Sequence, residues 1–112
     1  MQAIKNYFNS GATKSYEFRK QQLLLLQSTI KKYESEISEA LHQDLGKSKA
    51  EAYTTETGMV LTEIRLMLKD LKKWMQPKSV ATNLMNLPST SKMYYDPLGV
   101  VFIISPWNYP FQ

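Results

Sequence analysis

An α/β fold is the class this 112-residue sequence predicts. Three observations carry it: two segments with apolar residues at helical spacing, a proline-punctuated extended region after them, and a β-branched and aromatic run from Val100 to Ile104. A run without polar alternation fits a strand buried on both faces of a parallel sheet, and a lone strand cannot supply such a sheet. The order helix, helix, hairpin, buried strand therefore reads as an α/β protein cut after its first core strand.

The first helical pattern occupies residues 15 to 45, where Leu23, Leu26, Ile30, Tyr33, Ile37 and Leu41 recur every three or four positions and line one face. Gly46 follows the last periodic residues and can take the left-handed conformation that closes a helix. Lys47 and Lys49 beyond it place positive charge near the negative end of the dipole. One long helix, with room for a kink, is expected to end there. The second pattern runs through Tyr53, Val60, Leu61, Ile64, Leu68, Leu71 and Met75, and Pro77 disfavours helical geometry at Gln76, which sets the stop near residue 75. Gly58 lies inside this pattern at a cost of up to about 1 kcal/mol against Ala, pointing either to close packing on the first helix or to a local break.

From Lys78 to Pro88 the helical period disappears. Pro88 to Ser91 reads as a turn between two extended pieces, Thr82 to Leu87 and Ser91 to Tyr95, which together predict a hairpin. Asp96-Pro97 breaks the chain again before the buried strand begins.

Composition excludes several classes of function. No cysteine is present, so disulfides and thiolate metal sites are absent. The 14 basic and 10 acidic residues leave a formal charge of +4, but Lys and Glu are interspersed through residues 31 to 73 without a basic block, so a nucleic-acid partner is not expected. Met1 to Gly11 lacks the pattern of a secretory signal, and no apolar run approaches the ~18 to 20 residues of a membrane-spanning helix. A cytoplasmic protein is the expectation. The glycines at 11, 46, 58 and 99 are isolated and build no phosphate loop. His42 is the sole histidine and reads as a polar helix residue, not a metal ligand. Glu34, Glu36, Glu39 and Asp44 read as a solvated helix face, and Lys69, Lys72 and Lys73 as favourable partners of a helix dipole.

The most informative segment is Pro97-Leu-Gly-Val-Val-Phe-Ile-Ile-Ser-Pro-Trp-Asn-Tyr-Pro-Phe-Gln112, an apolar strand running into a polar, proline-bracketed turn. Asn108 stands out in it, because its side-chain amide supplies two donors while Pro106 and Pro110 restrict the backbone around it. A fixed amide donor suits an oxyanion, and Asn between prolines equally satisfies an ordinary turn.

This segment resembles the NAD(P)-dependent aldehyde dehydrogenases, most closely their class 3 or fatty-aldehyde branch. Asp44-Leu-Gly-Lys47 and Glu51-Ala-Tyr-Thr-Thr-Glu56 resemble the same branch, so the likeness covers residue 15 to the end. Proteins of that family are several times longer, which implies that this chain is an N-terminal fragment. By the same resemblance, residues 1–77 are a helical segment, 78–97 a hairpin of the oligomerisation sheet, and 98–112 the first strand and site turn of an incomplete cofactor-binding domain.

The resemblance also implies roles. Asn108 would hold the negative oxygen of the thiohemiacetal formed when a cysteine thiolate attacks an aldehyde. Ile104, Ser105, Pro106 and Trp107 would line NAD or NADP at the carboxyl end of the strand, as ligands lie in open α/β sheets. Read without it, they are a buried strand end with a packed Trp. Tyr109 would face the aldehyde, or else pack in the core. The nucleophile and the general base are not among these residues, so the chain alone is expected to be inactive and its full-length form a homodimer. The competing expectation is a small non-catalytic helical module that pairs its two amphipathic helices and lends a hairpin strand to a partner.

Overall fold

The computed structural model describes residues 1 to 112, with helices gathered at one end and an extended tail crossing back over them. Helix α1 (Gln2–Asn9) opens the chain, ahead of the first helical pattern read from the sequence. Helix α2 (Tyr16–Lys32) begins where the Ser15 hydroxyl accepts a hydrogen bond from the Phe18 amide at 3.1 Å, satisfying an amide that the helix start leaves orphaned.

The expected single helix to residue 45 is two. Tyr33 leaves helical geometry (φ −103°, ψ 16°), and α3 (Glu34–Leu45) restarts beyond it. The break separates two packing tasks: α2 lies along α5, whereas α3 turns towards α4. Gly46 closes α3 in the left-handed region (φ 68°), its amide donating to the His42 carbonyl, as the spacing predicts.

Helix α4 (Lys49–Ala52) starts on the Ser48 hydroxyl, which accepts from the Glu51 amide, and passes directly into a wide π turn at Tyr53–Thr57 before α5 (Gly58–Trp74). The inserted residue of a π turn rotates the side chains around it relative to an unbroken helix. Gly58 donates its amide to the Tyr53 carbonyl at the end of this turn, and a Cβ on it would sit 2.6 Å from that carbonyl oxygen. The glycine therefore marks a local break and does not mark packing against α2. Gly58→Ala is expected to lower stability, with the loss visible as a reduced denaturant midpoint of the complete protein and an α5 onset displaced from residue 58. An unchanged midpoint would mean that the turn absorbs the methyl group.

Ile30, Leu61 and Ile64 form the buried centre between α2 and α5, with Leu23, Val60, Leu68 and Phe111 packed around them. The sheet is a two-stranded antiparallel hairpin, β1 (Lys78–Val80) with β2 (Ser91–Met93), in register Lys78 to Met93, Ser79 to Lys92 and Val80 to Ser91. The first extended piece was expected at Thr82 to Leu87; the strand lies earlier. Asn83 accepts the Met85 amide through its side chain, and Leu84–Asn86 winds into a 3-10 turn. A short polar side chain here competes with the sheet for the backbone.

Val100 to Ile104 also departs from expectation. It forms no strand, and its side chains are exposed, Phe102 at 87%. No backbone group from Leu98 to Ser105 makes a hydrogen bond within the chain. The run lacks a neighbouring strand among these residues, and a strand exists only through its ladder.

Eight of 112 residues are buried, and the radius of gyration is 19.4 Å. A self-contained domain of this length would have about 13 Å. The bare apolar run and the open shape leave most of its apolar side chains uncovered within the chain. No helix is long and apolar enough to cross a membrane.

Candidate functional site

The site turn is built by Pro106 to Tyr109. The Tyr109 amide donates to the Pro106 carbonyl at 3.1 Å, placing Trp107 and Asn108 at the apex. Pro106 fixes its own φ where the chain enters the turn. Asn108 is exposed, and its side-chain amide makes no hydrogen bond within the chain. Trp107 is 90% exposed, Ile104 is exposed and Ser105 is half-buried.

What holds the turn comes from two residues remote in sequence. Lys47 is 7% exposed and Glu56 fully buried, and they form an ion pair with Nζ to Oε1 at 2.5 Å. Lys47 Nζ also donates to the Asn108 carbonyl oxygen at 2.8 Å and lies 4.2 Å from the centre of the Tyr109 ring. That distance is within the range of a cation–π contact. Glu56 Oε2 accepts the backbone amides of Phe111 at 2.9 Å and Gln112 at 3.0 Å. Phe111 packs on the α2–α5 core, anchoring the far side of the turn.

Each partner is delivered by local structure. The left-handed Gly46 turns the chain back, and His42 Nδ1 donates to the Lys47 carbonyl at 3.0 Å, fixing the backbone from which the side chain enters. Glu56 is buried from within the π turn. The tail is met from the other side by α1, whose Phe8 ring would lie 3.6 Å from a Cβ placed on Gly99. Gly99 adopts φ 108°, a conformation open to glycine and strained for other residues.

The turn thus has its main chain gripped at its apex and along the segment leaving it, with its Asn amide left free. Such an arrangement can present N–H donors to a negative oxygen without spending them internally. Of the expected site residues, the fold brings Asn108 and Tyr109 together with the buried pair, and sets Ile104 to Trp107 along an exposed ledge beside them. Sequence reasoning missed Lys47 and Glu56 as site residues. A signal was present: Glu56 stands four residues before Val60 and eight before Ile64, a carboxylate at a core-facing spacing.

The model of the aldehyde dehydrogenase family matches residues 1–112. The chain belongs to that family. The match includes the first fourteen residues, where the sequence motifs are silent. The 4,4'-diaponeurosporen-aldehyde dehydrogenase of Staphylococcus aureus is 50% identical over 108 residues, covering 96% of this chain and 24% of that protein. Aldehyde dehydrogenase family 3 member I1, chloroplastic, of Arabidopsis thaliana is 44% identical over 108 residues, again 96% of this chain and 20% of that protein. A solved structure described as the substrate-bound state of Staphylococcus aureus AldH superposes with a TM-score of 0.94 at 50% identity, covering 97% of this chain and 24% of that one. The chain therefore spans about a quarter of the length of the relatives it matches. This aldehyde dehydrogenase segment carries helices, hairpin and site turn in the same arrangement as that solved enzyme.

Proposed function

We propose that this chain is the N-terminal segment of an NAD(P)-dependent aldehyde dehydrogenase that oxidises aldehydes to carboxylic acids, and that it contributes the oxyanion donor Asn108. The observation that carries this reading is the exposed, unengaged Asn108 amide at the apex of a turn whose main chain is held by Lys47 and Glu56. In family terms, a cysteine outside these residues attacks the aldehyde carbon, and the carbonyl oxygen gathers negative charge. Donors preorganised where that charge develops lower the barrier, because they need no reorganisation as it forms.

Ile104, Ser105, Pro106 and Trp107 suit one wall of a dinucleotide site. Their ledge offers a flat indole face and a half-buried hydroxyl, at the end of a run whose backbone is free to enter a sheet. They fit a wall only: these residues include no glycine-rich turn for phosphates. The bound NAD or NADP would accept the hydride released as the aldehyde carbon is oxidised. Tyr109 would form an aromatic side of the aldehyde passage, suited to an apolar substrate chain. The hairpin β1–β2 has open edges on both sides, and an open edge is a template for pairing. It is the oligomerisation sheet of a homodimer in this reading.

The test compares two proteins. The complete gene product is expected to reduce NAD+ or NADP+ only when an aldehyde is added. The isolated 112-residue chain, which contains no cysteine, is expected to match a no-protein blank. Turnover by the isolated chain, or none by the complete protein with any aldehyde of a broad panel, would refute the reading.

A further inference from the structure

We propose that Lys47 and Glu56 are positioning residues for the oxyanion donor, acting through the backbone of the site turn; this rests on the reading of Asn108 given above. The pair divides its contacts between the apex of the turn and the segment that leaves it. Lys47 takes the Asn108 carbonyl oxygen and the Tyr109 ring, and Glu56 takes the amides of Phe111 and Gln112. Their own 2.5 Å contact joins the two grips. Every contact is to backbone or ring, and none is to the Asn108 side chain. An amide that must meet a substrate oxygen cannot be spent on an internal bond, so only the main chain beneath it is available to hold.

The nature of the pair supports this role. Ion pairs removed from water are frequently no more stabilising than apolar residues of the same shape, so their presence argues weakly for stability. Here both Glu56 oxygens are occupied, and Lys47 has three partners. Hydrogen bonds to charged groups are shorter and stronger than neutral ones. The result is a rigid link between the Gly46 turn, the π turn and the site turn. Misplacement of a catalytic group by about 1 Å is enough to cost about a hundredfold in rate.

The test uses the complete enzyme in steady-state kinetics with one aldehyde. The central variant is Lys47→Met with Glu56→Gln, which removes both charges at similar size and leaves no lone buried ion. Lys47→Arg is the conservative partner, and each is repeated in an Asn108→Ala background. The double variant is expected to lower kcat about tenfold to a hundredfold while KM for the aldehyde stays within about threefold, and Lys47→Arg to recover most of the loss. In the Asn108→Ala background the same double variant is expected to cost less than about twofold, since the group it positions is gone.

An equal fold-loss in both backgrounds would overturn the inference, because a general structural role lowers both alike. Unchanged kcat in a double variant that melts as a folded protein would also overturn it. Wild-type enzyme without aldehyde oxidation would instead refute the reading beneath it, and the inference with it. Should the double variant fail to fold, Glu56→Gln decides alone, since it keeps the size but loses an acceptor of the Phe111 and Gln112 amides: a kcat loss that disappears in the Asn108→Ala background supports the clamp, and an equal loss in both, or none, overturns it.

Discussion

Asn108→Ala in the complete enzyme is expected to lower kcat by about a hundred- to a thousandfold, which is about 2.7 to 4 kcal/mol of transition-state stabilisation, the cost seen when one oxyanion donor is removed elsewhere. KM for the aldehyde should move little, because the amide acts on charge present in the transition state and nearly absent in the ground state. Asn108→Asp should be at least as damaging, since a carboxylate places acceptors and negative charge where donors are needed. Steady-state kinetics of the two variants beside wild type checks this. A loss below about fivefold in Asn108→Ala would remove Asn108 from the reaction and leave it as a turn residue. Alanine deletes nothing that the turn uses internally, because the chain bonds to Asn108 through its carbonyl. The kinetic effect is therefore separable from misfolding.

Glu56→Ala should produce the largest loss of stability, about 3 to 5 kcal/mol, the cost of removing one member of a buried ion pair. Glu56 is fully buried, so its removal strands the Lys47 ammonium, and it also withdraws the acceptor of the Phe111 and Gln112 amides. Unpaired buried donors carry their full desolvation penalty. Denaturant unfolding of the complete protein, compared at equal slope, measures the effect. Replacing both charged residues together should return much of it, because no lone charge is then left. A single-variant loss below about 1 kcal/mol would show that water reaches the pair in the assembled enzyme.

Much of the helical part was legible because its signals are local. Gly46 closes a helix through its own backbone angle, and Pro77 forbids continuation just beyond Met75, where α5 ends. Apolar spacing picked out Ile30, Leu41, Leu61 and Ile64, each of which is buried, but it also picked out Leu26, Tyr33 and Tyr53, which are exposed. The pattern left room for a kink but not its place, since nothing at Tyr33 forbids a helix; the break follows from the different partners of α2 and α3. The hairpin's second strand lies where expected, but its first was placed too late, because Asn83 captures the Met85 amide and diverts Leu84–Asn86 from the ladder.

The site divides in the same way. The strand-like run, the proline bracket and Asn108 between them are written in consecutive residues, and they identify the family and the candidate donor without any fold. Lys47 read as a helix-end charge and Glu56 as part of a helix start, because each looks ordinary among its neighbours in sequence. Only the tertiary structure joins them to a turn some 50 to 60 residues away, through the left-handed Gly46, the π turn before Gly58 and Phe111 seated on the α2–α5 core. By itself the sequence determined the ends at Gly46 and Met75, the core positions Ile30, Leu41, Leu61 and Ile64, and the motif that carries the family resemblance, because these are written in neighbouring residues. The fold decided which charges are buried, what they grip and where the turn is held, because burial and ion pairing depend on distances that no local pattern encodes.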